Sequence, residues 1–328
     1  MPSAIRNLSA AALGLLLVAC SAPEPPTETA QVSAEPPSGT EISFGFADSN
    51  GVNIHYAEAG SGPLVVFIHG FPDYWYSWRH QMQGLSDRYR VVAIDQRGYN
   101  KSDSPDGIEH YDMRLLVSDV MAVIRHLGED SATVVGHDWG GVVAWSTAFA
   151  APELVDQLVI LNLPHPKGMA AAMSNNPQAL AQAGYAKVFR EGSPDDPDVF
   201  FGFPMTPQTL SGWVTDEAAK QNYVEAFERS DFDAMLAYYK QNYPDLWADE
   251  PRNWPDTPNI DIPTLMFHGL EDRALHSDGL NNTWDWIDSD LTLITVPGAG
   301  HFVQPDAADF VTANLRLWLD ARRDGVID

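Results

Sequence analysis

The nine residues Thr133-Val134-Val135-Gly136-His137-Asp138-Trp139-Gly140-Gly141 constrain this chain more than any others. A β-branched apolar run stops at a glycine, and an apolar run of helical length begins after it. Small residues at 136 and 140 permit a turn too tight for side chains, and they push the residue between them out beyond the strand end. That residue is Asp138, so the pattern is Gly-x-Asp-x-Gly rather than Gly-x-Ser-x-Gly. The N–H groups and positive dipole end of the following helix favour an ionised carboxylate there.

The segments around this turn repeat its strand-then-helix alternation. Runs at 54–58, 64–69, 90–95, 132–136, 158–163, 264–268 and 291–296 read as strands, and the buried ones are rich in Val, Ile and Leu, as strands covered on both faces should be. Amphipathic runs at 113–127, 141–149 and 308–321 read as helices. The expected fold is α/β, with a mostly parallel central sheet flanked by helices. The interval 164–258 breaks the rhythm. It has no comparable strand runs but carries many aromatics, among them Tyr185, Phe189, Phe200, Phe201, Trp213, Tyr223, Tyr238 and Tyr239. A structureless loop of that length is improbable, so several inserted helices are expected, suited to form a lid over an apolar pocket. Most of these aromatics are expected to form the insertion's own core.

Charge narrows the function classes. Among 328 residues, 45 Asp and Glu face 19 Lys and Arg, for a formal net charge of −26. That balance argues against nucleic acid and against electrostatic docking on anionic lipid. One Cys excludes an internal disulfide and any Cys-rich zinc site. His69, His268 and the nearby carboxylates are not at a recognised metal spacing, and no cofactor is implied.

The single Cys is Cys20, in Leu17-Val18-Ala19-Cys20. Arg6 and the short apolar stretch 10–19 precede it, as in an export signal too short to span as a mature helix. The tetrapeptide resembles a bacterial lipobox, which implies cleavage before Cys20 and its lipidation. Residues 21–40 are rich in Pro, Glu, Ser, Thr and Ala and read as a flexible tether. Ser21 resembles the sorting pattern for the outer membrane. The expected organisation is a signal peptide (1–19), a tether (20–41), a first core part (42–163), a helical cap (164–258) and a second core part (259–328). The membrane would be met only through the lipid on Cys20, on the periplasmic face.

Four further motifs accompany the turn at Asp138. They are His69-Gly70-Phe71-Pro72, Asp95-Gln96-Arg97-Gly98-Tyr99-Asn100-Lys101-Ser102-Asp103, His268-Gly269-Leu270-Glu271-Asp272 and Gly298-Ala299-Gly300-His301. Together they make the chain from about residue 42 onward resemble the α/β-hydrolase fold, in its epoxide hydrolase-like branch. The resemblance implies Asp138 as nucleophile, Asp272 as acid and His301 as base, in the chain order of that fold. Glu271 is the neighbouring alternative for the acid. Some relatives place the acid after the sixth strand, where this chain has Asn162. The resemblance also implies an oxyanion hole from the backbone N–H groups of Phe71 and Trp139, and a cis Phe71-Pro72 peptide. His137 reads as packing or hydrogen-bonding support, and Asp95 and Arg97 as structural loop residues.

An aspartate nucleophile restricts the chemistry. Attack on an ester carbonyl would give a high-energy anhydride. Attack on a saturated carbon gives an alkyl ester that water can open, with a histidine as general base. Epoxide opening and halide displacement both qualify. An epoxide oxygen needs acidic donors, and the resemblance implies a pair of lid tyrosines, Tyr185 and Tyr239. Tyr238 is the one-residue alternative, about 100° away on a helix. A halide needs N–H donors. The Trp139 indole offers one, but Phe71 stands where dehalogenases usually carry Asn or Trp. The expected function is epoxide hydrolysis of an apolar small molecule. Haloalkane dehalogenation and an inactive binding scaffold are the alternatives.

Overall fold

The computed structural model describes residues 41–246 and 257–327. Cys20, the export signal and the tether up to residue 40 lie outside them. One eight-stranded sheet organises the described chain. Its strands are β1 (Ser43–Ser49), β2 (Val52–Gly60), β3 (Leu64–Ile68), β4 (Arg90–Ile94), β5 (Ala132–His137), β6 (Val155–Leu161), β7 (Thr264–Gly269) and β8 (Leu291–Val296). They lie in the order β1-β2-β4-β3-β5-β6-β7-β8. The β1/β2 and β2/β4 pairs are antiparallel, and every later pair is parallel.

The helices are α1 (Arg79–Leu85), α2 (Met113–His126), α3 (Trp139–Ala150), α4 (Pro166–Asn175), α5 (Pro177–Gln182), α6 (Tyr185–Glu191), α7 (Pro207–Leu210), α8 (Glu217–Arg229), α9 (Phe232–Asn242), α10 (Val303–Asp306) and α11 (Ala308–Arg323). Alternate residues of β3 divide between two cores: Leu64, Val66 and Ile68 face α2 and α3, while Val65 and Phe67 face α1 and α11. This is the period-two division of a strand covered on both faces. Among the described residues, six helices, α4 to α9, occupy the interval between β6 and β7.

Two elements escaped the pattern. β1 pairs along its length with β2, yet its sequence SFGFADS carries no apolar run. It is an edge strand with Phe44 and Phe46 about half exposed, so burial imposes no alternation on it. Helix α3 begins at Trp139, two residues before the expected start, because the turn at Asp138 passes directly into the first helical turn.

Candidate active site

The site grows from the junction of β5 and α3. Asp138 sits there at φ 50°, ψ −121°, outside the ordinary regions for a side-chain-bearing residue. Such a conformation costs about 1–3 kcal/mol and persists only where its surroundings enforce it. The enforcement is visible in two glycines. A Cβ on Gly136 would strike the carbonyl of Gly140, and a Cβ on Gly140 would strike the carbonyl of Ile68. The turn therefore holds the Asp138 carboxylate at the ends of the central parallel strands.

Three loops bring partners to it. After β3, the backbone N–H of Phe71 donates to Asp138 Oδ1 at 2.8 Å, and the Phe71-Pro72 peptide is cis. After β8, His301 presents Nε2 at 3.5 Å from Asp138 Oδ2. After β7, Asp272 Oδ2 accepts from His301 Nδ1 at 2.9 Å. Asp272 Oδ1 accepts the N–H groups of Ala274 and Leu275. Of the two neighbouring acids, Asp272 is therefore the one on the imidazole. Trp139 is the first residue of α3, where a backbone N–H has no intrahelical acceptor.

The charges are mutually dependent. Burial works against a charged imidazole at His301, but the Asp272 and Asp138 carboxylates outweigh it and push the pKa up to about 10. Burial likewise opposes ionisation of Asp138 and Asp272. Hydrogen bonding and charge from His301 overcome it and hold both below the usual carboxylate range. His137 behaves oppositely: burial, then the His301 charge, push it down to about 4. As a neutral ring it donates from Nε2 to the His301 carbonyl at 2.8 Å.

The insertion closes the other side. Tyr185 on α6 and Tyr239 on α9 line a cavity of about 60 Å³ together with Asp138, Trp139, Leu163, Met169, Tyr243 and Leu275. The volume is far below the roughly 300–1,000 Å³ of a drug-sized ligand site, so the insertion is packed down over the carboxylate. The two tyrosine rings lie 6.3 Å apart and nearly perpendicular. Tyr239 also packs edge-on against Trp139 at 5.0 Å and Phe71 at 5.3 Å. Burial first, then neighbouring groups (Tyr243 before Asp138 for Tyr185, Asp138 for Tyr239), raises both phenols well above their ordinary value. Both hydroxyls therefore stay protonated. Tyr238 is elsewhere: its fully buried hydroxyl donates to the Arg97 carbonyl.

Asp95 and Arg97 serve the loops. Asp95 accepts from Asn100 and the Trp75 N–H and pairs with His55. Arg97 makes a two-pronged buried pair with Asp119. Among the described residues, no three His, Cys, Asp or Glu side chains converge as a metal site.

Two polar residues beside the site were not read as part of it from sequence. Asn162, at φ 41°, donates to Asp272 Oδ2 at 2.7 Å and to the Gly300 carbonyl at 3.2 Å. Its own oxygen accepts the Gly269 N–H. Asp73 is fully buried behind the Phe71-Pro72 turn. Burial pushes its carboxyl up to about 7, against hydrogen bonds that include the Tyr74 N–H. The signal for Asn162 was its place at the end of β6; nothing in its spacing marks Asp73.

Comparison with known proteins agrees with this architecture. The model of the alpha/beta hydrolase fold family matches residues 63–308. Epoxide hydrolase 1 of Caenorhabditis elegans is 31% identical over 282 residues, covering 82% of this chain and 68% of that protein. The AB hydrolase superfamily protein YfhM of Bacillus subtilis is 36% identical over 244 residues, 70% of this chain and 82% of that one. A crystal structure of Bacillus megaterium epoxide hydrolase in complex with an inhibitor superposes with a TM-score of 0.74 at 29% identity, covering 84% of this chain and all of that one. The chain belongs to the α/β-hydrolase fold family and is a hydrolase of its epoxide hydrolase-like group.

Proposed function

We propose that this hydrolase opens epoxides to vicinal diols through a covalent ester on Asp138. The observation that carries the reading is the convergence of two protonated tyrosines, Tyr185 and Tyr239, on the cavity that Asp138 lines. Asp138 Oδ1 is engaged by the Phe71 N–H, which leaves Oδ2 to attack a ring carbon. The ring C–O bond breaks as the new C–O bond forms. The departing oxygen takes hydrogen bonds, then a proton, from the tyrosines. The product is a 2-hydroxyalkyl ester.

Esterification also prepares the second step. Asp138 loses its charge, so one of the two carboxylates that held the proton on His301 disappears. The imidazolium becomes a stronger acid: its pKa falls toward the range of a working base, and its proton passes to the tyrosinate left by the first step. Its Nε2 then takes a proton from water as that water attacks the Asp138 carbonyl carbon. The N–H groups of Phe71 and Trp139 stabilise the tetrahedral oxyanion. Collapse breaks the bond from the Asp138 carbonyl to the ester oxygen, which leaves as the diol with the proton held by His301. The new Asp138 carboxyl then returns its proton to the imidazole and is again a carboxylate. Asp272 keeps the tautomer with Nδ1 protonated throughout.

Haloalkane dehalogenation uses the same ester and keeps one specific support, the Trp139 side chain on the cavity wall. Phe71 supplies no second side-chain donor. The test is intact mass of the full-length His301→Gln protein, in mild detergent, with a panel of epoxides and haloalkanes. A hydroxyalkyl adduct on Asp138 from epoxides is expected. An adduct from haloalkanes alone would move the assignment to dehalogenase, and none from either would end the ester mechanism.

The same reading has the protein exported, with residues 1–19 removed and Cys20 lipidated in the outer membrane. Cys20→Ser is expected to lose the lipid mass and leave the membrane fraction. Unchanged fractionation and mass would refute the anchor.

A further inference from the structure

We propose that Trp213, on the insertion, is a positioning residue for His301 that acts through Phe302; the inference rests on the ester mechanism above. Trp213 lies between α7 and α8 and stacks flat on Phe302, with centroids 3.6 Å apart and planes 5° from parallel. Phe302 meets the His301 ring edge-on at 5.1 Å and also touches His137 at 5.6 Å. On its other side Trp213 is braced by Tyr223 at 5.1 Å. The buried indole N–H has no hydrogen-bond partner among the described residues, so ring contacts hold this side chain.

His301 needs such a brace because of where it sits. It lies in the loop between β8 and α10, with Gly298 at φ 82° just before it. Its main chain is held by His137 and its Nδ1 by Asp272. The third restraint is the charge of Asp138, 3.5 Å from Nε2. Esterification removes that charge at the point where Nε2 must aim at water. Ring packing then remains to keep the imidazole from tilting about its bond to Asp272: His137 meets it at 4.9 Å from the core side, and Phe302, backed by Trp213, meets it from the insertion side. Attack on the epoxide needs no proton transfer to His301, so the first step is indifferent to this brace. Ester hydrolysis is not.

The test compares full-length wild type, Trp213→Ala, Trp213→Phe and His301→Gln with styrene oxide. Rapid quench and intact mass give the rates of ester formation and decay. In Trp213→Ala, decay is expected to slow about tenfold or more, as for a misplaced reacting group. Ester formation stays within about twofold, and kcat and KM fall together so that kcat/KM is kept. Trp213→Phe retains a stacking ring and restores decay. A fall in kcat at unchanged KM and unchanged decay would mean only less folded enzyme and overturns the proposal. A fall in kcat/KM without ester accumulation would place Trp213 in substrate binding and also overturns it. Absence of any ester in His301→Gln would defeat the underlying mechanism instead, separating the two failures.

Discussion

Asn162 and Asp272 are joined by a 2.7 Å hydrogen bond between the ends of neighbouring parallel strands, with the amide donating to the same oxygen that receives the His301 N–H. The amide also spans to the Gly300 carbonyl and accepts the Gly269 N–H. One buried side chain thus ties the acid to the loop that carries the histidine.

Asn162→Leu should leave the buried Gly269 N–H without its side-chain acceptor and take one donor from the Asp272 carboxylate, lowering stability by about 1–3 kcal/mol. Asn162→Asp should do something different. Two carboxylates at hydrogen-bond distance resist joint ionisation, so the acid limb of the kcat profile should move to higher pH. Chemical denaturation and a pH-rate profile check the pair. An unshifted acid limb in Asn162→Asp would show that this contact does not govern Asp272.

The raised pKa of His301 has a stability signature. The folded value of about 10 exceeds the ordinary 6.5, so the folded state binds the proton more tightly. The resulting stabilisation is fully present below pH 6.5 and is lost as pH rises through 10. Thermal melts of wild type and His301→Gln should therefore converge across that window. Parallel curves would contradict the ion-pair geometry.

Asp73 gives a second window at lower pH. Its folded value of about 7 exceeds the ordinary 3.8, so its contribution is fully present below about pH 4 and fades as pH rises through 7. Asp73→Asn cannot ionise and should flatten this part of the melting profile. A wild-type slope that survives in Asp73→Asn would assign it to other groups.

The tyrosines should act on ester formation alone. Tyr185→Phe and Tyr239→Phe are each expected to slow alkylation by an epoxide, and the double variant by about 10²-fold or more. Ester decay should be unchanged, because neither hydroxyl is asked to serve the second step. Single-turnover mass kinetics separate the two rates. Equal slowing of decay would point to a general disturbance of the insertion.

Gly136, Asp138 and Gly140 were legible because a strained turn admits few residues and leaves a fixed spacing. The parallel strands were legible because burial on both faces demands continuous Val, Ile and Leu. The edge strand β1 was not, since half of it faces outward and no pattern is enforced. Tyr239 and Tyr238 are adjacent in sequence and similar in chemistry. Only the packing of α9 decided that Tyr239 lines the cavity while Tyr238 bonds the Arg97 carbonyl.

By itself, the sequence determined the fold class and the tight turn that carries Asp138, because these follow from local turn chemistry and hydrophobic periodicity; Asp272 and His301 were what the resemblance to the epoxide hydrolase-like group implied. Tertiary structure alone decided the distances among them. It also decided the bridging of Asn162, the burial of Asp73 and the stack of Trp213 on Phe302. Those depend on contacts between segments far apart in the chain, where no local spacing records which side chains meet.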